Sequence, residues 1–107
     1  MIVNKLWGCE EWLVNDDYCV KRMTLKPDCQ CSLHYHEKKD ESFYILEGRL
    51  DLTVNGVTHR LNPGDFYRIK PYDIHRFKTI DDVCVFLESS THHDDEDVVR
   101  LEPSKEL

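Results

Sequence analysis

The stretch His34-Tyr35-His36-Glu37-Lys38-Lys39-Asp40-Glu41 carries two imidazoles and a carboxylate at spacings that suit a divalent metal. In a β-strand, side chains two residues apart share a face, so His34 and His36 project together. Each neutral ring offers a lone pair, and two of them side by side make a poor dry core. Four residues separate His36 from Glu41, enough for a tight turn, and a β-rich stretch starts at Ser42. A strand returning antiparallel would bring Glu41 back beside the histidines as a hard, anionic donor. His75, within Lys70-Pro71-Tyr72-Asp73-Ile74-His75-Arg76-Phe77, is the candidate for a fourth ligand. Three imidazoles and one carboxylate suit Zn, Mn, Fe or Ni without choosing among them. Closed by four protein ligands, such a site is structural; with open positions it takes water or substrate.

The elements that would position these groups read as all-β. Tyr18–Leu25, Gln30–His36, Ser42–Glu47, Arg49–Val54, Val57–Leu61, Phe66–Ile69, Ile74–Lys78 and Val83–Glu88 are rich in β-branched and aromatic residues, with Gly, Pro, Asn and Asp between them. Asn55-Gly56 signals a two-residue hairpin turn. At least eight short strands and no convincing helix predict a sandwich or barrel in one domain, 1–107, with its core at about 15–90. Phe43 and Ile45 share the face of Glu41 and, with Phe77, are expected to line the pocket; Phe66 or Tyr67 would join them. Tyr35, Tyr44 and Leu46 then point to the opposite face, where an apolar patch predicts a symmetric homodimer. The alternative is packing beneath the N-terminal segment with Trp7 and Trp12. On Tyr18–Leu25 two inward sets are open, Cys19/Met23/Leu25 and Tyr18/Val20/Thr24, so Lys21 or Arg22 could face in. His59 and His92-His93 read as surface groups.

Fourteen basic residues against twenty-one acidic ones give a net charge of −7. That balance argues against a nucleic-acid partner, which wants a basic stripe. No apolar run approaches about 18 residues, so no membrane partner is expected. Five cysteines (Cys9, Cys19, Cys29, Cys31, Cys84) without a CxxC pair or an export signal predict reduced thiols in a cytoplasmic protein. Residues 94–107 carry six acids and two bases. Val98, Val99 and Leu101 there predict a short strand or turn tied back to the sheet, with fraying beyond Pro103.

The histidine motif resembles that of the cupins, usually written G-x5-H-x-H-x3,4-E-x6-G. Here it reads Asp28-(x5)-His34-x-His36-(x4)-Glu41-(x6)-Gly48, with the leading Gly replaced. The second motif, G-x5-P-x-G-x2-H-x3-N, is matched at Gly64 and His75, while Lys70, Tyr72 and Thr79 depart from it and Pro has moved to Pro71. Together the two cover roughly half the chain. The resemblance implies a double-stranded β-helix, or jelly-roll barrel, and makes His34, His36, Glu41 and His75 the metal ligands. Leu6-Trp7-Gly8 with Glu11, Val20–Pro27 and Asp94–Glu102 further resemble the C-terminal cupin domain of type II mannose-6-phosphate isomerases. Departures are the absence of a nucleotidyltransferase domain and a His at 34 where that subfamily often has Gln.

That resemblance implies metal-assisted aldose–ketose isomerisation of a sugar or sugar phosphate. The residues name no catalytic base. A non-catalytic metal- and sugar-binding module and a non-haem metal dioxygenase are the alternatives. An isomerase of a phosphorylated sugar would place at least one inward Lys or Arg beside the metal.

Overall fold

Alternation decides the architecture. Residues i and i+2 of a strand meet the same face, and of the thirteen short strands here Tyr18–Leu25, Glu41–Glu47 and His75–Thr79 alternate buried with more exposed residues. The computed structural model describes residues 1–107 and contains no helix. In chain order the strands are β1 (Ile2–Lys5), β2 (Gly8–Asn15), β3 (Tyr18–Leu25), β4 (Cys29–Gln30), β5 (Leu33–Tyr35), β6 (Glu41–Glu47) and β7 (Leu50–Val54). They continue as β8 (Val57–Leu61), β9 (Phe66–Ile69), β10 (His75–Thr79), β11 (Cys84–Thr91), β12 (Val99–Glu102) and β13 (Lys105–Glu106). All pair antiparallel in two sheets. One runs β1-β2-β3-β11-β6-β9; the other runs β12-β5-β10-β4-β13, with β7 also on β10 and β8 on β7.

The core lies between the sheets. Met23, Leu25, Phe43, Ile45 and Phe86 from the first meet Leu50, Leu52, Val54 and Phe77 from the second. Phe86 sits 4.7 Å from Phe43 and 5.3 Å from Phe77, centroid to centroid, and Trp7 closes edge-on against Phe77 at 5.2 Å. Burying each such ring is worth about 2–3 kcal/mol. Trp7 therefore belongs to the core, and Tyr44 and Leu46 do not pack beneath it; both stay exposed on the outer face of β6. Phe66 is 74% exposed and faces away from the cavity, while Tyr67 is half-buried against the core.

The turns follow from backbone chemistry. Asn55 and Gly56 (φ 49° and 82°) make the left-handed pair that the β7–β8 hairpin needs. Gly48 (φ 72°) passes so close to Val83 that a Cβ would overlap its carbonyl oxygen. Asp28 and Tyr72, which replace motif glycines, keep left-handed conformations at φ 58° and 69°.

Several expectations need correction. The predicted strand Gln30–His36 is broken into β4 and β5, because Cys31 turns its Sγ to accept the Phe77 N–H at 3.2 Å. Residues beyond Pro103 do not fray: Lys105 and Glu106 pair with Gln30 and Cys29, and the Leu107 N–H donates to the Asp28 carbonyl at 2.8 Å. The free edge of β4 supplies those partners. The N-terminal β1–β2 hairpin escaped the sequence reading, since inward-facing Glu10 hides its alternation.

Candidate metal centre

His34 lies on β5, His36 one residue past its end, Glu41 opens β6, and His75 opens β10. Pairing of β10 with β5 sets His75 directly opposite His34. The three rings stand 4.4–5.8 Å apart, centroid to centroid. One nitrogen from each falls within 4.8 Å of the others. Glu41 faces two of them, with Oε1 3.4 Å from His75 Nε2 and Oε2 3.6 Å from His36 Nε2. The four sequence candidates thus converge.

The outer nitrogens explain why the inner ones are free. His34 Nδ1 lies 2.8 Å from the Ser32 carbonyl, His36 Nδ1 2.6 Å from that of Asp97, and His75 Nδ1 2.8 Å from that of Asp73. A carbonyl only accepts, so each Nδ1 carries the proton and each Nε2 keeps its lone pair toward the centre. Burial and the neighbouring His75 push His34 down to about 3; burial also lowers His36, with Lys39 adding to it. Burial alone would lower His75, but the Glu41 carboxylate raises it. Glu41 is held well below the carboxylate range, because His75 and Lys39 outweigh the cost of its burial.

Two atoms of this cluster, Glu41 Oε2 and His75 Nε2, are buried without a hydrogen-bond partner. Such orphaned groups are costly. A divalent cation would satisfy both, so the donor set fits the metal that three ring nitrogens and a carboxylate imply.

The cluster opens on a cavity of about 480 Å³. Phe77 stands in its wall, whereas Phe43 and Ile45 lie wholly buried in the core behind it. The structure selects the inward set Cys19/Met23/Leu25 on β3, and Lys21 goes in with it, 1% exposed. Lys21 is directly opposite Trp12 on one side and Glu88 on the other. Its ammonium sits 4.3 Å from the Trp12 ring centroid and 3.3 Å from Glu10 Oε1. Lys39 Nζ donates to Glu88 Oε2 at 2.8 Å and lies 3.5 Å from Glu41 Oε2. One ammonium thus serves two carboxylates. Burial would lower Lys39, but Glu88 and Glu41 raise it; burial and the charge of Glu41 raise Glu88.

Sequence reasoning missed Lys39, Glu88, Glu10 and His93 here. His93 is half-buried edge-on against Trp12, with Nδ1 3.1 Å from Lys39 Nζ. Asp97 was missed as well: its carboxylate accepts the N–H groups of Glu37, Lys38 and Lys39 at 3.0–3.2 Å, holding the loop between the histidines and Glu41.

Residues 21–90 match the cupin-domain family. The chain belongs to the cupin family. This cupin is 30% identical over 115 residues to a D-lyxose/D-mannose isomerase of Thermosediminibacter oceani, covering 82% of this chain and 64% of that protein. It is 40% identical over 45 residues to a quercetin 2,3-dioxygenase of Bacillus subtilis, covering 42% of this chain and 13% of the other. The chain therefore spans less than two thirds of either. Among solved structures, KdgF from Halomonas sp. superposes with a TM-score of 0.76 at 17% identity, covering 82% of this chain and 81% of that one. The cupin fold is a double-stranded β-helix, and the three histidines of this one are placed to bind a divalent metal.

Proposed function

We propose that this cupin is a metal-dependent aldose–ketose isomerase acting on an open-chain sugar or sugar phosphate, of the mannose-6-phosphate isomerase type. The observation that carries the reading is Glu88, a buried carboxylate in the wall of the same cavity, gripped by Lys39 and close to Lys21. Isomerisation needs a base that takes a proton from the carbon next to the carbonyl and gives it to the former carbonyl carbon. Glu88 Oε2 is taken by Lys39, which leaves Oε1 to hold that proton. Its raised pKa suits a group that must both accept and return it. Lys39, raised by Glu88 and Glu41, stays against it, and the Lys21 ammonium lies 3.9 Å from its Oε2. His34, His36, Glu41 and His75 would hold the metal, which when bound supplies a Lewis acid for adjacent sugar oxygens. The isomerase relative supports this reading. A dioxygenase would use the same histidines, and that relative is matched over 42% of the chain. The Lys–Glu–Lys wall, suited to proton transfer, favours isomerisation.

Elemental analysis of the purified protein, joined to a coupled ketose assay, tests this. The wild type should carry metal and form ketose, and His36→Ala should lose the metal. Glu88→Gln should keep the metal and lose activity by about 10²–10⁴-fold. A wild type that binds no metal after supplementation overturns the ligand assignment; metal without turnover leaves a binding module.

The outer face of the first sheet is our candidate for a homodimer interface. Tyr44 (46% exposed) lies directly opposite Phe66, with Leu46 two residues along; Tyr35, expected on the same face, is instead on β5 of the other sheet, where it stacks on Tyr72 at 6.0 Å. Sedimentation should give a dimer that Tyr44→Lys dissociates. Five free cysteines, four of them buried, fit a cytoplasmic location.

A further inference from the structure

The cations of the cavity differ in how far they are already engaged. Lys39 faces Glu88 and Glu41, and Lys21 faces Glu10 and Glu88. Lys5 reaches Glu10 only at 4.0 Å. Among the lining residues that stay exposed, Asp95 is held by His93 at 2.7 Å. Arg76, on the same sheet, is taken up by Glu102 at 3.3 Å and the Cys31 carbonyl at 3.1 Å. Arg100, also in the lining, has no such partner.

Its position is set by register. Arg100 on β12 pairs directly with His34 on β5. Directly opposed residues of an antiparallel pair project from one face, with Cβ atoms about 4.5–5.5 Å apart. The guanidinium therefore rises from the wall that also carries a ring of the histidine cluster, and stands at the exposed mouth of the cavity.

We propose that Arg100 recognises an anionic oxygen group, phosphate or carboxylate, at one end of an open-chain ligand whose other end reaches His34, His36 and His75. The assignment deepens the sugar reading above and rests on it. An anion carried to the inner lysines would have to displace Glu88 or Glu10. At Arg100 it meets a planar fork with free N–H donors, which pairs bidentately with either oxyacid. A cavity of about 480 Å³ falls within the usual range for small-molecule sites.

Calorimetric binding to the metal-loaded full-length chain tests the proposal, with D-mannose, D-mannose 6-phosphate and D-mannuronate as probes. Wild type should bind one or both charged probes more tightly than the neutral one. Arg100→Ala should erase that preference, about tenfold, and leave the neutral hexose unchanged; Arg100→Lys should recover part of it. Loss for the 6-phosphate alone identifies phosphate, and loss for the uronate alone identifies carboxylate. Loss for both identifies the shared oxyanion. If Arg100→Ala keeps the preference, or wild type has none, the assignment to Arg100 is overturned while the sugar reading stands. If no probe binds wild type, both fall.

Discussion

Asp97 offers the sharpest test of how the metal centre is built. Its carboxylate accepts three backbone N–H groups, from Glu37, Lys38 and Lys39, and its own carbonyl accepts the Nδ1–H of His36. Asp97→Ala removes the first set and leaves the second atom in place. The N–H groups of Glu37 and Lys38 are exposed and would turn to water, at about 0.5 kcal/mol each. That of Lys39 is half-buried and would cost about 1–2 kcal/mol if left unpaired. The total is about 2–3 kcal/mol, which for a chain of this size lowers the midpoint of thermal unfolding by about 10 °C. The freed loop joins His36 to Glu41, so the ligands lose their fixed spacing and zinc affinity should drop by about 10–100-fold. Asp97→Asn, which keeps one accepting oxygen, should fall between. Urea unfolding of the metal-free protein and calorimetric zinc titration read the two effects separately. A midpoint within 0.5 kcal/mol of wild type, or an unchanged zinc affinity in a destabilised variant, would show that Asp97 does not organise the ligands.

Further expectations rest on burial. Burial pushes the thiols of Cys31 and Cys84 up to about 12. Between about pH 8.5 and 12 the unfolded chain gives up these protons while the folded one keeps them. Stability should therefore fall as pH rises, by up to about 1.4 kcal/mol per unit for each thiol. A Cys31→Ala/Cys84→Ala protein should show a shallower decline in urea midpoints above pH 8.5, and an identical slope would refute the assignment. For the same reason a thiol reagent at pH 8 should modify Cys9 alone quickly, with the other four reacting only on unfolding; rapid labelling of a second thiol counts against the packing. Gly48→Ala forces a side chain into the left-handed region and onto the Val83 carbonyl oxygen. A loss of at least about 1–3 kcal/mol is expected from denaturant curves, and a neutral substitution would contradict that turn geometry. Phe86→Ala, which empties the centre of the aromatic cluster, should cost about 3–5 kcal/mol in the same experiment.

The strands were legible wherever one face is apolar. Leu50, Leu52 and Val54 alternate with polar partners, and β7, β8 and β9 fall within a residue of the expected bounds. The convergence of His34, His36, Glu41 and His75 was legible because a metal centre would need such donor types at such spacings. The charged wall was not. Lys39, Glu10 and Glu88 look like surface residues in a sequence, and Lys21 stands there as one of two open inward choices; only the fold sets each beside its opposite charge, Glu10 half-buried and the other three buried. Glu88 ends the apolar run Val83–Leu87, where alternation gives no sign that a carboxylate continues the inward row of Cys84 and Phe86. Asp97 hid among neighbouring acids, since its role comes from contacts some sixty residues away.

Glu41, Lys39, Glu88, Lys21 and Glu10 form a file of alternating charge through the interior, with a carboxylate at each end. Neutralising any one member strands its neighbours in a medium that solvates ions badly. Drift at these positions should then proceed in compensated steps, an acid and a base lost or exchanged together. A descendant that abandons the chemistry would find these five among the hardest residues to shed one at a time.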